Sequence, residues 1–198
     1  MVNIVTDSCA DLNPALIERF SLHTIPLTVY VNDRTYFDGV DISPETLFQS
    51  VQQSGQLPKT SAPSPVDIAE LFKSVPGDLV FIGIGSKLSA TVQSAVIAAQ
   101  TLPDRKIIII DSNNLSTGIG LLALKAADLR DQGCNAEEIE SQITQSIGKV
   151  HTSFVIDTLE YLYRGGRCSS MQNIVGSLLK IRPVIKVGKD GMLAVKEK

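Results

Sequence analysis

Hydroxyl side chains at the start of a predicted helix are the residues of this sequence best suited to bind an anion. Ser86, Ser89 and Thr91 lie between an uncharged apolar run, Leu79–Ile82, and a segment whose apolar residues recur at helical spacing. The run predicts a strand buried on both faces. A helix N-terminus has unpaired N–H groups and a partial positive charge, so it attracts anions. Serine is also a common helix cap, so this loop alone leaves both roles open for Ser89.

Similar polar loops follow two other predicted strands, and Asp7-Ser8 and Asp111-Ser112 open them. In parallel α/β sheets, ligands bind beyond the carboxyl ends of the strands. We therefore expect these loops to share one edge, with Thr60-Ser61 leaning over it from the side. The residues predicted to form a polar rim there are Asp7, Ser8, Ser86 and Ser112.

Common catalytic arrangements are missing around this rim. A serine nucleophile needs a neighbouring base, usually histidine, but His23 and His151 both flank predicted strands, where a structural role is expected. The sequence has neither a G-x-S-x-G motif nor the phosphate-binding pattern G-x-x-x-x-G-K-[ST]. The fragment Gly118–Ala123 resembles a dinucleotide fingerprint only weakly, because its glycines fall within a predicted helix start. We expect neutral donors for one oxyanion, with no metal and no cofactor.

Composition argues against several broad classes of function. Of the 198 residues, 43% are hydrophobic and 20% charged, as is ordinary for a globular protein. A net charge of -3 and the absence of tryptophan argue against a nucleic-acid surface. Cys9, Cys134 and Cys168 lie far apart, so we expect reduced thiols in a cytoplasmic protein. Neither a signal peptide nor an apolar run of membrane-spanning length is evident, so at most transient membrane contact is expected.

Alternating strand and helix patterns must position these residues. Strands are predicted at Val2–Thr6, Thr24–Val31, Asp78–Ile84 and Lys106–Ile110. Helices are predicted where a capping residue precedes proline, at Asn13-Pro14, Ser43-Pro44 and Ser64-Pro65. The segment Leu57–Pro63 between two of these helices is predicted to be a loop.

This alternation predicts an α/β protein with a mostly parallel sheet flanked by helices. The composition changes near Lys149, so we expect an N-terminal α/β domain at residues 1–150 and a second, smaller α/β domain beginning at 151–198. The second unit is predicted to hold a helix at Met171–Leu179 and a hairpin turn at Lys189–Gly191. With so few elements, it is expected to be incomplete.

Six short motifs follow one another along the chain: Thr6–Ser8, Thr60–Ser64, Ser86–Ser89, Asp111-Ser112, Leu159–Arg167 and Leu178–Pro183. In this order they resemble the motifs of the DegV family, bacterial fatty-acid-binding proteins that include the binding subunit of fatty acid kinase. The resemblance spans nearly the whole chain. It implies the two-domain, EDD-type fold of that family, with a fatty acid in the cleft between the domains.

Three departures from the family's pattern stand out. Ala62 replaces a glutamine, and Ala90–Val92 replaces Gly-Thr-Tyr. Family members also continue well beyond the position of Lys198, with a segment that completes the second domain and carries a His-x-Gly-Pro-Gly loop to the ligand carboxylate. We therefore expect the chain as given to bind fatty acid weakly, and to self-associate or be less stable than a longer relative.

The resemblance also implies roles for individual residues. Thr60 and Ser89 would hydrogen-bond the carboxylate, Ser61 would shape its loop, and Arg167 would stand near the head group or help a partner dock. Charge-assisted hydrogen bonds are stronger than neutral ones, and each buried methylene adds about 0.8 kcal/mol. Hydroxyl groups at the head and an apolar tunnel for the tail would therefore suffice for binding.

Alternative functions remain open at this point. The resemblance implies a non-enzymatic protein that binds a long-chain fatty acid and presents it to the catalytic subunit of a fatty acid kinase. The alternative is a phosphotransferase or small-molecule kinase subunit acting on the polar rim. The absence of a phosphate-binding loop and of a catalytic histidine argues against this alternative. A third possibility is a shortened chain that has lost its function.

Overall fold

The secondary structure follows the predicted alternation of strands and helices. The computed structural model describes residues 1–157, 159–167 and 183–196. Its strands are β1 (Val2–Asp7), β2 (His23–Ile25), β3 (Thr28–Val31), β4 (Arg34–Phe37), β5 (Lys59–Ser61), β6 (Asp78–Gly83), β7 (Ile107–Asp111), β8 (Ser153–Val155), β9 (Val184–Val187) and β10 (Leu193–Val195). Its helices are α1 (Pro14–Arg19), α2 (Pro44–Ser54), α3 (Pro65–Ser74), α4 (Thr91–Gln100), α5 (Thr117–Asp131), α6 (Ala136–Ile147) and α7 (Glu160–Arg164). Within the described ranges, no helix is both long and apolar enough to cross a bilayer.

The main sheet has four parallel strands in the order β2-β1-β6-β7. Ile4 of β1 lies opposite Val80 of β6, which in turn lies opposite Ile108 of β7. The central strands β1 and β6 are buried along most of their length, as expected for a sheet covered on both faces. The predicted parallel sheet flanked by helices is therefore confirmed.

Two apolar layers form on opposite faces of this sheet because strand side chains alternate in direction. On one face, Ile4 and Val80 pack with residues of α5 and α6. On the other face, Phe81 packs with α3 and α4, and its ring meets the edge of Phe72 with the ring centroids 6.0 Å apart. These layers hold the loops beyond β1, β6 and β7 on a rigid base.

The segment Thr24–Val31, predicted as one strand, belongs to two strands. Its second half joins a small antiparallel sheet with the order β4-β3-β5. That segment divides at Pro26, so β2 joins the main sheet and β3 joins the small one. Proline has no N–H group and cannot continue a ladder of hydrogen bonds. The next N–H, of Leu27, donates instead to Ser8 Oγ over 3.1 Å.

The segment Leu57–Pro63 contains β5, so its prediction as a loop is also corrected. Thr60 lies opposite Val29 of β3, and its two neighbours in the strand pair on either side. All three side chains of β5 are exposed. An exposed polar strand shows no apolar alternation in the sequence, and only its pairing with β3 identifies it.

A third sheet, β10-β9-β8, is antiparallel, and the predicted hairpin at Lys189–Gly191 joins β9 to β10. An apolar cluster packs this part of the chain against the loop after β6: its buried members are Leu88, Leu159, Ile185 and Leu193. The predicted helix at Met171–Leu179 and, apart from Pro183, the motif at 178–183 lie outside the described residues. The division into domains at 1–150 and 151–198 stays a prediction.

Candidate functional site

The three predicted polar loops meet at the carboxyl edge of the main sheet. Gly85 N–H donates to Asn114 O at 2.8 Å, and Ser112 N–H donates to Gly83 O at 3.2 Å. Ser86 N–H donates to the Asp111 carboxylate, also at 3.2 Å. The loops after β6 and β7 are thus joined by their backbones, and the expectation that they share one edge is confirmed.

Asp7 is buried beneath this edge and links the loop of β1 to that of β6. Its Oδ2 accepts a hydrogen bond from Ile84 N–H at 2.7 Å, and its Oδ1 accepts one from Cys9 N–H at 3.0 Å. Burial raises the pKa of Asp7 to about 6, against the two N–H groups, which lower it. The charges of Asp11 and Asp38 raise it further. Asp7 therefore connects two loops at an electrostatic cost.

The other rim residues also bond mainly within the protein. Ser8 Oγ accepts the N–H of Leu27, and the buried Ser112 Oγ accepts the N–H of Asn114 at 3.1 Å. Ser86 has an exposed side chain. None of these residues lines the cavity described next. Their contact with a ligand stays a prediction.

Thr60, Ser61, Ser89 and Arg167 line one cavity of about 430 Å³, although they come from three separate parts of the chain. Pairing of β5 with β3 places the two residues of β5, and the loop before α4 supplies Ser89. The cavity's other walls are mostly apolar and comprise Cys9, Leu27, Val29, Asp38, Leu47, Pro58, Ala62, Ile84, Leu88, Ala90, Leu115, Leu162 and Leu193.

Ser89 contacts both the cavity and the start of α4. Its Oγ accepts a hydrogen bond from Thr91 N–H at 3.3 Å and lies 2.9 Å from the buried Thr91 Oγ1. The residue before the helix, Ala90, has no side chain that could cap it. If the Thr91 hydroxyl donates to Ser89, the Ser89 proton is free for a ligand. The two roles that the sequence left open are therefore compatible.

Arg167 brings a positive charge to the same cavity. Its Nε donates to Leu88 O at 3.1 Å, and its Nη1 donates to Gly165 O. Both partners are neutral carbonyls, and no ion pair to Arg167 occurs within the described ranges. Arg167 is an exposed residue that lines the cavity, so its charge is available to an anion there.

Among the described residues that line the cavity, Cys9 is the one with a thiol. Burial, together with the charges of Asp7, Asp38 and Asp11, raises the pKa of the Cys9 thiol far above its usual value, so the thiol stays protonated. Neither histidine lines this cavity. In the part of the chain that the structure describes, no group of three histidine, cysteine, aspartate or glutamate residues is arranged to hold a metal.

Sequence reasoning missed several lining residues. Leu27 and Val29 alternate with outward residues along the chain, and that period of two could have marked them as one buried face. Asp38 gave no such signal, because it lies in a turn-rich stretch after β4 and only the fold brings it to the cavity. Two apolar residues at α7 differ in their contacts: Leu162 lines the cavity, whereas Leu159 belongs to the neighbouring core cluster.

The fold and this cavity define an α/β protein with a mostly apolar cavity near the carboxyl edge of a parallel sheet. Comparison with known families narrows that class. The model described as "Uncharacterised protein, DegV family" matches residues 1–198. The chain belongs to the DegV family.

Relatives and solved structures agree with this assignment. A DegV domain-containing protein of Caldanaerobacter subterraneus subsp. tengcongensis is 38% identical over 200 residues, which is 100% of this chain and 71% of the relative. A fatty-acid-binding DegV family protein from Thermus thermophilus has 33% identity and a TM-score of 0.91, covering 99% of this chain and 70% of its own. The Streptococcus pneumoniae fatty acid kinase B3 protein, loaded with linoleic acid, has 28% identity and a TM-score of 0.87, covering 100% and 72%.

Proposed function

We propose that this chain binds a long-chain fatty acid, with the carboxylate at Thr60, Ser61, Ser89 and Arg167 and the acyl chain along the apolar walls of the cavity. One observation carries the proposal. Three hydroxyls and an arginine without an ionic partner in the described ranges line the same cavity, whose remaining lining is mostly apolar. Such a distribution matches an amphipathic anion.

The head group would be held by hydroxyl donors and one cation. Ser89 is held in place by its contact with Thr91, and a hydrogen bond from its hydroxyl to a carboxylate would be charge-assisted. The N-terminus of α4 adds a partial positive charge nearby. Arg167, which is held by its hydrogen bond to Leu88 O, would balance the negative charge of the carboxylate.

The acyl chain would supply most of the affinity. A volume of about 430 Å³ falls within the range of small-molecule sites. Leu27, Val29 and Leu193 are each at most 8% exposed and form firm apolar walls. Burial of each methylene contributes about 0.8 kcal/mol, so a long tail outweighs a modestly bonded head.

The proposed physiological role is to present this fatty acid to a fatty acid kinase in the cytoplasm, where the carboxylate would be phosphorylated. Support comes from the likeness to the B3 protein of the S. pneumoniae fatty acid kinase. The exposed position of Thr60, Ser61 and Arg167 leaves the head group within reach of another protein. In this role the chain binds and delivers the substrate, and the kinase carries out the chemistry.

Mass spectrometry of an organic extract of the purified protein, together with calorimetric titration of the delipidated protein, tests the proposal. We expect long-chain fatty acids in the extract and saturable binding of hexadecanoic acid, with no binding of ATP under the same conditions. Nucleotide binding without any lipid would overturn the proposal and favour a phosphotransferase or kinase subunit.

A further inference from the structure

Asp38 is an acidic side chain in the wall of a mostly apolar cavity. It is half-buried, and its backbone N–H donates to Leu27 O at 2.9 Å. Its carboxylate has neither a hydrogen-bond donor nor a cation as partner within 1–157, 159–167 and 183–196. An acidic residue without a partner in these ranges therefore belongs to the wall along which an acyl chain would run.

The charge of Asp38 acts on two neighbouring cavities. Asp38 also lines a neighbouring cavity of about 550 Å³, together with Asp7 and Asp11. Its charge helps to raise the pKa values of Asp7 and Cys9. The lining around Asp38 is therefore electrostatically negative, whereas Arg167 brings a positive charge to another part of the same lining.

The small sheet separates Asp38 from the head-group residues. Thr60 pairs with Val29 on one side of β3, whereas Asp38 bonds to Leu27 on the other side. Leu27 and Val29 both face the cavity between them. Thr60 and Asp38 are therefore about two strand spacings apart across this face, or about 10 Å.

We propose that Asp38 determines the specificity of the cavity by selecting fatty acids whose far end is uncharged and by rejecting α,ω-dicarboxylic acids. This inference rests on the proposed function. A dicarboxylic acid bound at Thr60 and Ser89 would bring its second carboxylate toward Asp38, and like charges repel strongly in a partly buried site.

Titration calorimetry with saturated acids of increasing length tests the inference. Each α,ω-dicarboxylic acid is compared with the monocarboxylic acid of the same length, on the wild type and on Asp38→Asn. In the wild type, the dissociation constant of the dicarboxylic acid should exceed that of the monocarboxylic acid at the length that brings the second carboxylate to Asp38. In Asp38→Asn we expect this ratio to shrink by at least about tenfold. Binding of the monocarboxylic acid should change little.

Matched controls separate the effect of this site from that of net charge. Asp104→Asn removes the same charge from an exposed turn that lines neither cavity, and it should leave the ratio unchanged. Asp38→Ser serves as a second variant if Asp38→Asn folds poorly, and it should behave alike. An equal ratio in the wild type and both Asp38 variants at every length would overturn the inference while leaving fatty acid binding intact. Absence of monocarboxylate binding by the wild type would instead overturn the proposed function.

Discussion

The oxygen of Ser89 serves the helix and the cavity at the same time. Because it accepts the N–H of Thr91 and lies against the Thr91 hydroxyl, its position is set before any ligand arrives. Thr60, on an exposed edge strand, makes no side-chain hydrogen bond to the described residues. Ser89 is therefore expected to contribute more to head-group binding than Thr60 does.

Ser89→Ala should weaken binding of hexadecanoic acid about tenfold, or ~1.4 kcal/mol, because it removes one hydrogen bond to a charged group. Fluorescence or calorimetric titration measures the change. Ser86→Ala, in the same loop but outside the cavity, is the matched control and should bind as the wild type does. Equal affinities for the wild type and Ser89→Ala would place the head group elsewhere.

Asp7 makes stability depend on pH. Because the folded protein holds the Asp7 proton more tightly than the unfolded chain does, protonation of this group stabilises the fold. That contribution is fully present below the ordinary pKa of 3.8 and is lost as the pH rises through about 6. The difference amounts to about 3 kcal/mol.

Asp7→Asn should remove this pH dependence. We expect the free energy of unfolding of the wild type, relative to that of the variant, to fall between pH 4 and pH 7 (about 3 kcal/mol in all). Urea denaturation at several pH values measures it. The subtraction cancels the opposite effect of exposed carboxylates such as Glu137, whose pKa is lowered by Lys106. Parallel curves for the two proteins would show that Asp7 does not titrate in this range.

At the scale of elements, the start of α5 explains the glycines that weakly resembled a dinucleotide fingerprint. A Cβ on Gly118 would collide with side-chain oxygens of Asn114 and Thr152, and one on Gly120 would lie 2.9 Å from Ala10 O. These glycines allow the helix to lie close to the loop after β1 and to the segment before β8. They lie at the start of a helix, as predicted, and the structure shows that they pack closely there.

Gly118→Ala should lower the free energy of unfolding by about 1–3 kcal/mol through overpacking. Thermal or urea denaturation measures the loss. Gly148→Ala is the control, since a Cβ there meets nothing within 4 Å and its φ is -68°, so the variant should be at least as stable as the wild type. A stable Gly118→Ala protein would contradict the close approach of α5.

At the scale of the whole molecule, three sheets surround the cavity and each contributes a part of it. The main sheet carries the loop of Ser89, the small sheet carries Thr60, and the third sheet contributes Leu193. The cluster of Leu88, Leu159, Ile185 and Leu193 joins the third sheet to the loop. Affinity should therefore depend on packing between these parts as well as on residues that touch the ligand.

Ile185→Ala and Ile139→Ala test this dependence as a pair. Both side chains are fully buried, Ile185 in the cluster beside the cavity and Ile139 on α6 in the core of the main sheet. Each should cost about 2–5 kcal/mol of stability, measured by denaturation. Only Ile185→Ala should also weaken fatty acid binding, although it does not line the cavity. Equal affinities for the two variants would show that the cavity does not depend on the third sheet.

The sequence by itself determined the features that rest on neighbours in the chain. Caps such as Asn13-Pro14, Ser43-Pro44 and Ser64-Pro65 begin α1, α2 and α3 as predicted, because a cap bonds to an N–H group only a few residues away. The uninterrupted apolar run Leu79–Ile82 identified the central strand β6, since burial on both faces favours apolar residues at every position. The shared edge of the polar loops then followed from the parallel order.

Only the tertiary structure decided which distant residues meet. The pairing of β5 with β3 brings Thr60 to the cavity, yet the three exposed residues of β5 carry no local strand signal. Burial turned Asp7 into a link between loops, and the turn after β4 brought Asp38 into the wall of the cavity. Such contacts depend on the packing of whole sheets, whose free energy comes from residues far apart in the sequence.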